Sequence, residues 1–198
     1  MIVCVDNNFV EVGIDEAGRG SLAGNVYASA VILPKEFDDN LYLQINDSKK
    51  LSRKKRSKME RYIKEVAIDY GIGYATNIEI DKMNILNASI LAMHRALDNL
   101  KVVPDKLYVD GTQFKPYLRD GDWIEYSCVP KGDTKYYNIA AASILAKEAH
   151  DRHIIEISKI GSNHLYDWEN NMSYGTVKHK QAIKEYGITE FHRKSYKL

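Results

Sequence analysis

The chain is poor in everything that would brace a fold from outside a hydrophobic core. Its 198 residues hold only two cysteines, Cys4 and Cys128, far apart and in no zinc-ligand spacing. They read as buried or semi-buried free thiols of a reducing compartment. No apolar run is long enough to span a bilayer. The opening residues, Met1 to Asp6, lack the basic region of a secretory leader. A soluble, cytoplasmic protein is therefore expected. Net charge is also absent: 28 Lys and Arg stand against 27 Asp and Glu. That balance neither demands nor excludes nucleic acid, because a basic face can be offset by acids elsewhere. There are no internal repeats, low-complexity segments or obvious linkers, and no Walker or dinucleotide glycine fingerprint, which argues against a nucleotide-binding α/β protein.

What is present suits one α/β domain over residues 1–198, with about 160–198 as a C-terminal helical extension. At 44% hydrophobic, a chain of this length can bury a real core. Alternation predicts strands near residues 2–5, 9–14, 26–33, 67–75, 106–110 and 124–129. Helical periodicity predicts 53–66, capped by Ser52, with a stripe of Met59, Tyr62, Ile63 and Val66. The cations opposite, from Lys54 to Lys64, read as a solvated face. Further helices are expected over 84–100, over 139–160 stopped by Gly161, and from a Thr176 cap to Gly187. The stretch between, through Asn171, reads as loop.

The stretch Gly13-Ile14-Asp15-Glu16-Ala17-Gly18-Arg19-Gly20 organises the rest. It closes a β-patterned run, so two carboxylates sit where a strand meets a turn. Adjacent side chains on extended backbone point to opposite faces, leaving at most one of them in a packed interior. Two carboxylates this close repel each other unless a proton or a metal ion offsets them. Gly18 and Gly20 flank Arg19 in a turn where missing Cβ atoms let backbone N–H groups approach a ligand. Acids for a cation beside an Arg for an anion describe a metal-assisted phosphate site. The competing reading is a solvated acidic loop.

Two more acids share this context. Asp110 ends a strand before Gly111, and Asp133 lies in a Lys-Gly-Asp turn before a helix. Taken singly, each reads as an ordinary turn residue. If the strands of Asp15 and Asp110 are neighbours, the carboxylates can meet around one or two cations. Oxygen-only ligands suit Mg²⁺ or Mn²⁺ rather than Zn²⁺. Two such ions, ~4 Å apart, can activate water and stabilise a leaving oxygen.

DEAGRG (15–20), DSKKLS (47–52), NILNAS (84–89), VDG (109–111), KGD (131–133), AASILAK (141–147), YGT (174–176) and HRKSY (192–196) follow one another in an order that resembles the type 2 ribonucleases H, the ribonuclease HII family. The resemblance spans nearly the whole chain. It implies a ribonuclease H-like fold, a mixed central sheet flanked by helices, with a small C-terminal helical lobe. It implies an endonuclease that cuts the RNA strand of RNA/DNA hybrids and nicks 5′ to a single ribonucleotide in duplex DNA, leaving 3′-hydroxyl and 5′-phosphate ends. Asp15, Glu16, Asp110 and Asp133 match the family's catalytic metal ligands. Ser21 and Asn25 depart from frequent prolines, and Ser173 from a common glycine.

Such an enzyme must detect a 2′-hydroxyl. The backbone of Gly18, Arg19 and Gly20 suits that contact, and by family analogy Tyr174 packs on the nucleotide at the RNA–DNA junction. Its plain alternative is a half-buried loop tyrosine. Ser143, Lys147 and Asp151 share one helix face. Ser143 is a substrate-contact candidate, and Lys147 is expected either at a phosphate or in an ion pair with an acid such as Asp151. Lys49 is a second phosphate candidate. For His192 and Arg193, structural pairing is at least as well supported as substrate contact. No histidine matches a general base. The rivals are a structure-specific resolvase of the same fold and a catalytically silent nucleic-acid-binding domain. With no tail after Leu198 to dock a replication clamp, a monomer without a stable protein partner is expected.

Overall fold

The computed structural model describes residues 1–3 and 5–197. Six strands form one sheet: β1 (Glu11–Ala17), β2 (Val26–Ile32), β3 (Asp69–Ala75), β4 (Lys106–Asp110), β5 (Tyr117–Arg119) and β6 (Asp122–Val129). Their order is β3-β2-β1-β4-β6-β5. The β1–β2, β2–β3 and β5–β6 pairs are antiparallel, whereas β1–β4 and β4–β6 are parallel. The sheet is mixed, as expected, with β1 at its centre.

Helices cover both faces. On one side lies α2 (Asn77–Asp98), whose Ala88, Ala92, Met93 and Leu97 pack with Val12 and Ile14 of β1. On the other lie α1 (Arg53–Val66) and α3 (Tyr137–Ser158), whose Met59, Ile63, Ala141 and Leu145 share a core with Val31. Gly13 is what lets β1 sit so close to α3: a Cβ there would stand 2.2 Å from the Asn138 carbonyl carbon. A third, smaller core gathers the end of α3 with Tyr166, the short helix α4 (Trp168–Asn171) and α5 (Val177–Tyr186). This is the helical C-terminal lobe.

Several boundaries differ from expectation. Around residues 2–5 there is an isolated bridge from Ile2 to Tyr136 rather than a described strand, and Cys4 lies outside the described residues. β1 runs through Asp15 and Glu16 rather than stopping before them. α2 starts seven residues before Asn84, because Thr76 and Glu79 cap each other: the Glu79 N–H donates to Thr76 Oγ1 and the Thr76 N–H to Glu79 Oε2. The expected start survives as a break, where Asn84 takes a φ of 69° and its side chain accepts from the Asn87 N–H. The stretch read as loop before Asn171 contains a 3₁₀ turn (Asn163–Tyr166) and α4, which bury Tyr166 and Trp168. No helix among the described residues is long and apolar enough to cross a membrane.

Candidate active site

At the end of β1 the side chains alternate as a strand requires. Val12 and Ile14 face α2 and Gly13 faces α3, so Glu16 emerges on the α2 side and Asp15 on the α3 side. The parallel register sets Ile14 beside Val109 as the last β1–β4 pair, and Asp15 and Asp110 are the next residues of the two neighbouring strands. Asp110 Oδ1 accepts from the Gly132 N–H at 2.7 Å, which ties β4 to the 3₁₀ turn (Gly132–Thr134) that carries Asp133. Lys131 enters that turn in a left-handed conformation.

Their electrostatics show the acids to be neighbours. Burial pushes the Asp15 carboxyl well above the usual range, and Glu16, Asp110 and Asp133 push it further. Burial also raises Glu16, against the opposing pull of Arg19, whose Nη1 donates to Glu16 Oε1 at 3.1 Å. Asp133 is raised by burial, Asp47 and Asp110, with Lys49 and Lys50 opposing. Among the described residues no three His, Cys, Asp or Glu side chains are already drawn together at metal-ligating distances. The donor set is nonetheless all carboxylate, and its mutual repulsion is the charge that a hard divalent cation would offset.

Nine of the eleven residues expected in the site border one groove of about 250 Å³: Asp15, Glu16, Gly18, Arg19, Gly20, Lys49, Asp133, Lys147 and Tyr174. Asp110 lies in the adjoining cleft, sharing Glu16 and Arg19 with it. Ser143 is different. It is buried, donates to the Ala140 carbonyl and accepts from the Ser48 N–H at 3.2 Å, so it reaches the groove only by bracing the turn that carries Lys49. Lys147 pairs with Asp151 at 2.7 Å while its Nζ stands 5.3 Å above the Tyr174 ring. A larger cavity, about 600 Å³, lies over β3 and α2, but its Arg95, Glu79 and Asn99 are committed to each other and to β3 carbonyls.

His150, Arg193 and Tyr196 support the Gly-Arg-Gly turn from behind. His150 is fully buried behind Gly18. Gly18 has a φ of +92°, and a Cβ there would meet the His150 ring at 2.3 Å. The ring links Asp151 Oδ1 (3.0 Å from Nδ1) to Ser21 Oγ (3.1 Å from Nε2). That order imitates a hydrolytic triad, but Ser21 is fully buried with its hydroxyl also against the Met172 carbonyl. It is structural. Arg193, also fully buried, donates to the carbonyls of Arg19, Gly24 and Asn25, and Tyr196 donates to Arg19 as well. The pairing role of Arg193 and His192 is therefore the one observed; His192 lies between Thr189 and His179. Ser89, buried without a hydrogen-bond partner, lines the cleft beside Asp110.

The departures from the resemblance are absorbed locally. Ser173 takes the left-handed φ of 59° that a glycine would adopt freely, held by its hydroxyl on the Ala23 carbonyl and its N–H on Asn171 Oδ1.

The chain matches the Ribonuclease HII family over residues 12–198. It is 51% identical to the ribonuclease HII of Christiangramia forsetii over 94% of this chain and 89% of that one. To its Phocaeicola vulgatus counterpart it is 46% identical over 98% and 92%. The ribonuclease H2 of Pyrococcus horikoshii has the same fold, with a TM-score of 0.73 at 24% identity, covering 94% of this chain and 93% of that one. An Archaeoglobus fulgidus ribonuclease HII solved in complex with PCNA has a TM-score of 0.70 at 22% identity, with 96% of both chains covered. The Bst ribonuclease HIII solved with Mn²⁺ has a TM-score of 0.62 at 15% identity, covering 88% and 69%. With its ribonuclease H-like sheet, the chain belongs to the ribonuclease HII family, hydrolases of the endoribonuclease class.

Proposed function

We propose that this endoribonuclease cuts the RNA strand of RNA/DNA hybrids and nicks duplex DNA 5′ to a single embedded ribonucleotide, leaving 3′-hydroxyl and 5′-phosphate ends. The observation that carries this is the groove itself, where Asp15, Glu16, Asp133, the Gly-Arg-Gly turn and Tyr174 share one space. Asp15, Glu16, Asp110 and Asp133 would hold Mg²⁺ or Mn²⁺, two ions during turnover; the Mn²⁺ complex of the Bst relative supports a divalent cation. Bound cations would supply charge neutralisation and water activation.

The protein's own groups account for recognition. The Arg19 carbonyl is occupied by Arg193 and Tyr196, whereas the N–H groups of Arg19 and Gly20 make no hydrogen bond among the described residues and are available to a 2′-hydroxyl. Tyr174, just over a third exposed, offers its ring to the junction nucleotide beside Gly20. Lys49 would meet phosphates, setting register rather than reading bases, and Lys147 would do so only beyond its ion pair with Asp151. The fully buried histidines His150, His179 and His192 are tied into the scaffold. His153, whose Nε2 is buried without a hydrogen-bond partner among the described residues, lies beside Gly24 and Tyr27 rather than on the groove wall. In this reading the chain acts as one catalytic domain, as a monomer, in the cytoplasm. The PCNA complex of the Archaeoglobus protein gives the absence of a protein partner no support.

The test is a DNA duplex carrying one ribonucleotide, incubated with Mg²⁺ or EDTA, beside an all-DNA duplex and the Asp110→Asn variant. A cation-dependent nick 5′ to the ribonucleotide, lost in Asp110→Asn, is expected. Equal cutting of all-DNA duplex would favour a resolvase, and binding without cutting a silent binding domain.

A further inference from the structure

The first turn of α1 is built against its own stability. Unpaired N–H groups give a helix N-terminus partial positive charge, so acids stabilise it and cations do the opposite. Here Arg53, Lys54 and Lys55 fill that turn and no acid accompanies them. All three are exposed, as are Lys50 just before and Lys58 one turn later. None of these five forms an ion pair among the described residues. The inward cation of the same helix behaves differently: Arg56 is buried and bonds Glu148 at 2.5 Å and Asp151 at 2.8 Å. Where the fold needs a cation in α1, it pairs it.

Position supplies the second observation. Lys49 borders the groove, and Arg53 is the fourth residue after it, so the unpaired turn begins within ~14 Å of the groove wall. Asp39 does not neutralise it, because it meets α1 at Tyr62, in the second half of the helix. Local chemistry that opposes local stability is most often found at functional positions.

Building on the nuclease reading of the groove, we propose that Arg53, Lys54 and Lys55, continued by Lys50 and Lys58, form a track for the phosphate backbone of the duplex flanking the cleavage position. The occupant follows from charge complementarity and from continuity with Lys49. Contacts of this type position a duplex without reading sequence. They should show as counterion release.

The experiment compares the wild-type chain with Arg53→Gln/Lys54→Gln/Lys55→Gln, glutamine being a good helix former. Binding in EDTA is measured across a salt series, on a ribonucleotide-containing duplex with long flanks and on one trimmed to about one helical turn. For long flanks, the slope of log affinity against log salt should become shallower by about 0.9 per lost contact, about 2.7 for three. The long-to-short affinity ratio should fall. Melting temperature should rise, because the helix terminus is relieved of cations. Lys54→Glu should show the same pair of effects, tighter folding and weaker long-duplex binding. An unchanged salt slope overturns the track and leaves these cations as a solvated helix face. Equal loss on both duplexes also overturns it, placing these cations at the cleavage site. Wild-type nicking in Mg²⁺ is scored in the same samples. Its absence would remove the nuclease reading, whereas nicking with an unchanged slope removes the track alone.

Discussion

Arg193 Nη1 donates to the carbonyl of Arg19 at 3.0 Å, joining positions 174 residues apart. The same carbonyl accepts from Tyr196 Oη at 2.6 Å, and Asp81 holds the segment in place by accepting from the N–H groups of Lys194 and Ser195. The end of the chain thus fixes the direction in which the Gly-Arg-Gly turn presents its amides. Arg193→Met would leave the Gly24 and Asn25 carbonyls without their donors and remove one of the two donors to Arg19, at a cost of roughly 3 kcal/mol. Melting temperature should drop by roughly 6–12 °C. Tyr196→Phe removes one of two donors to Arg19. It should cost only about 1 kcal/mol, while lowering kcat/KM on a ribonucleotide-containing duplex by about tenfold, equivalent to about 1.4 kcal/mol. A Tyr196→Phe enzyme with full kcat/KM would show that the turn needs no such bracing.

Gly18 and His150 form a second testable pair. Gly18→Ala meets two penalties, a positive φ and a ring 2.3 Å from the new Cβ. Trimming the ring in His150→Ala removes the second penalty and leaves the first. Denaturant midpoints of both single variants and the double variant should reveal a favourable coupling of at least about 1 kcal/mol. Simple additivity would mean that backbone conformation alone demands this glycine.

Much of this architecture was legible from local pattern. The bounds of α1 and β4 follow from Ser52, a 3.6-residue stripe and an acid-Gly end, and they agree with the structure. Two other local signals mark elements that periodicity alone misses. Thr76-x-x-Glu79 announces the true start of α2. Asp120-Gly121, both at positive φ, closes the two-residue hairpin that adds β5. The partners of His150, Arg193 and Ser143 lie beyond such reading. Their roles depend on backbone groups far away in sequence, such as Ser48 for Ser143 and Arg19 for Arg193, which no periodicity encodes. A fully buried arginine on three carbonyls looks, in one dimension, like any tail cation.

The C-terminal lobe should be acid-sensitive. His192 Nδ1 accepts from the Thr189 N–H at 2.9 Å, and its Nε2 faces His179 Nε2, which already accepts from Trp168 Nε1. There is no lone pair to spare for another proton. Burial, with His179 beside it, holds His192 down to about 4. A base with a depressed folded pKa favours the native state above its unfolded value of about 6.5, and that advantage is lost as pH falls toward about 4. Melting temperature should therefore decline across that window. Asn at 192 offers an acceptor for Thr189 but no titration; His192→Asn should start lower at pH 7 and fall less steeply. Identical slopes for the two proteins would assign the acid sensitivity elsewhere, with His153 the next group to replace, since burial holds it near 4 as well.

Asp15 titrates in the opposite sense. Its carboxyl is raised by burial and by Glu16, Asp110 and Asp133, so the native state retains a proton that the unfolded chain has released. Ionising it therefore destabilises the metal-free protein at every pH above the ordinary carboxylate range. Asp15→Asn removes that charge while keeping an oxygen for the Glu16 N–H, which Asp15 now accepts at 2.6 Å. In EDTA at pH 8 the variant should melt higher than wild type, by roughly 2–4 °C for each kcal/mol of repulsion relieved. Added Mg²⁺ should reverse the ranking. A cation that binds only the folded state at ten times its Kd stabilises by about 1.4 kcal/mol, and the wild-type chain should gain that while Asp15→Asn gains little. Activity should be lost in the variant at all Mg²⁺ concentrations. If Mg²⁺ raises both melting temperatures equally, the cation binds elsewhere and Asp15 is not among its ligands.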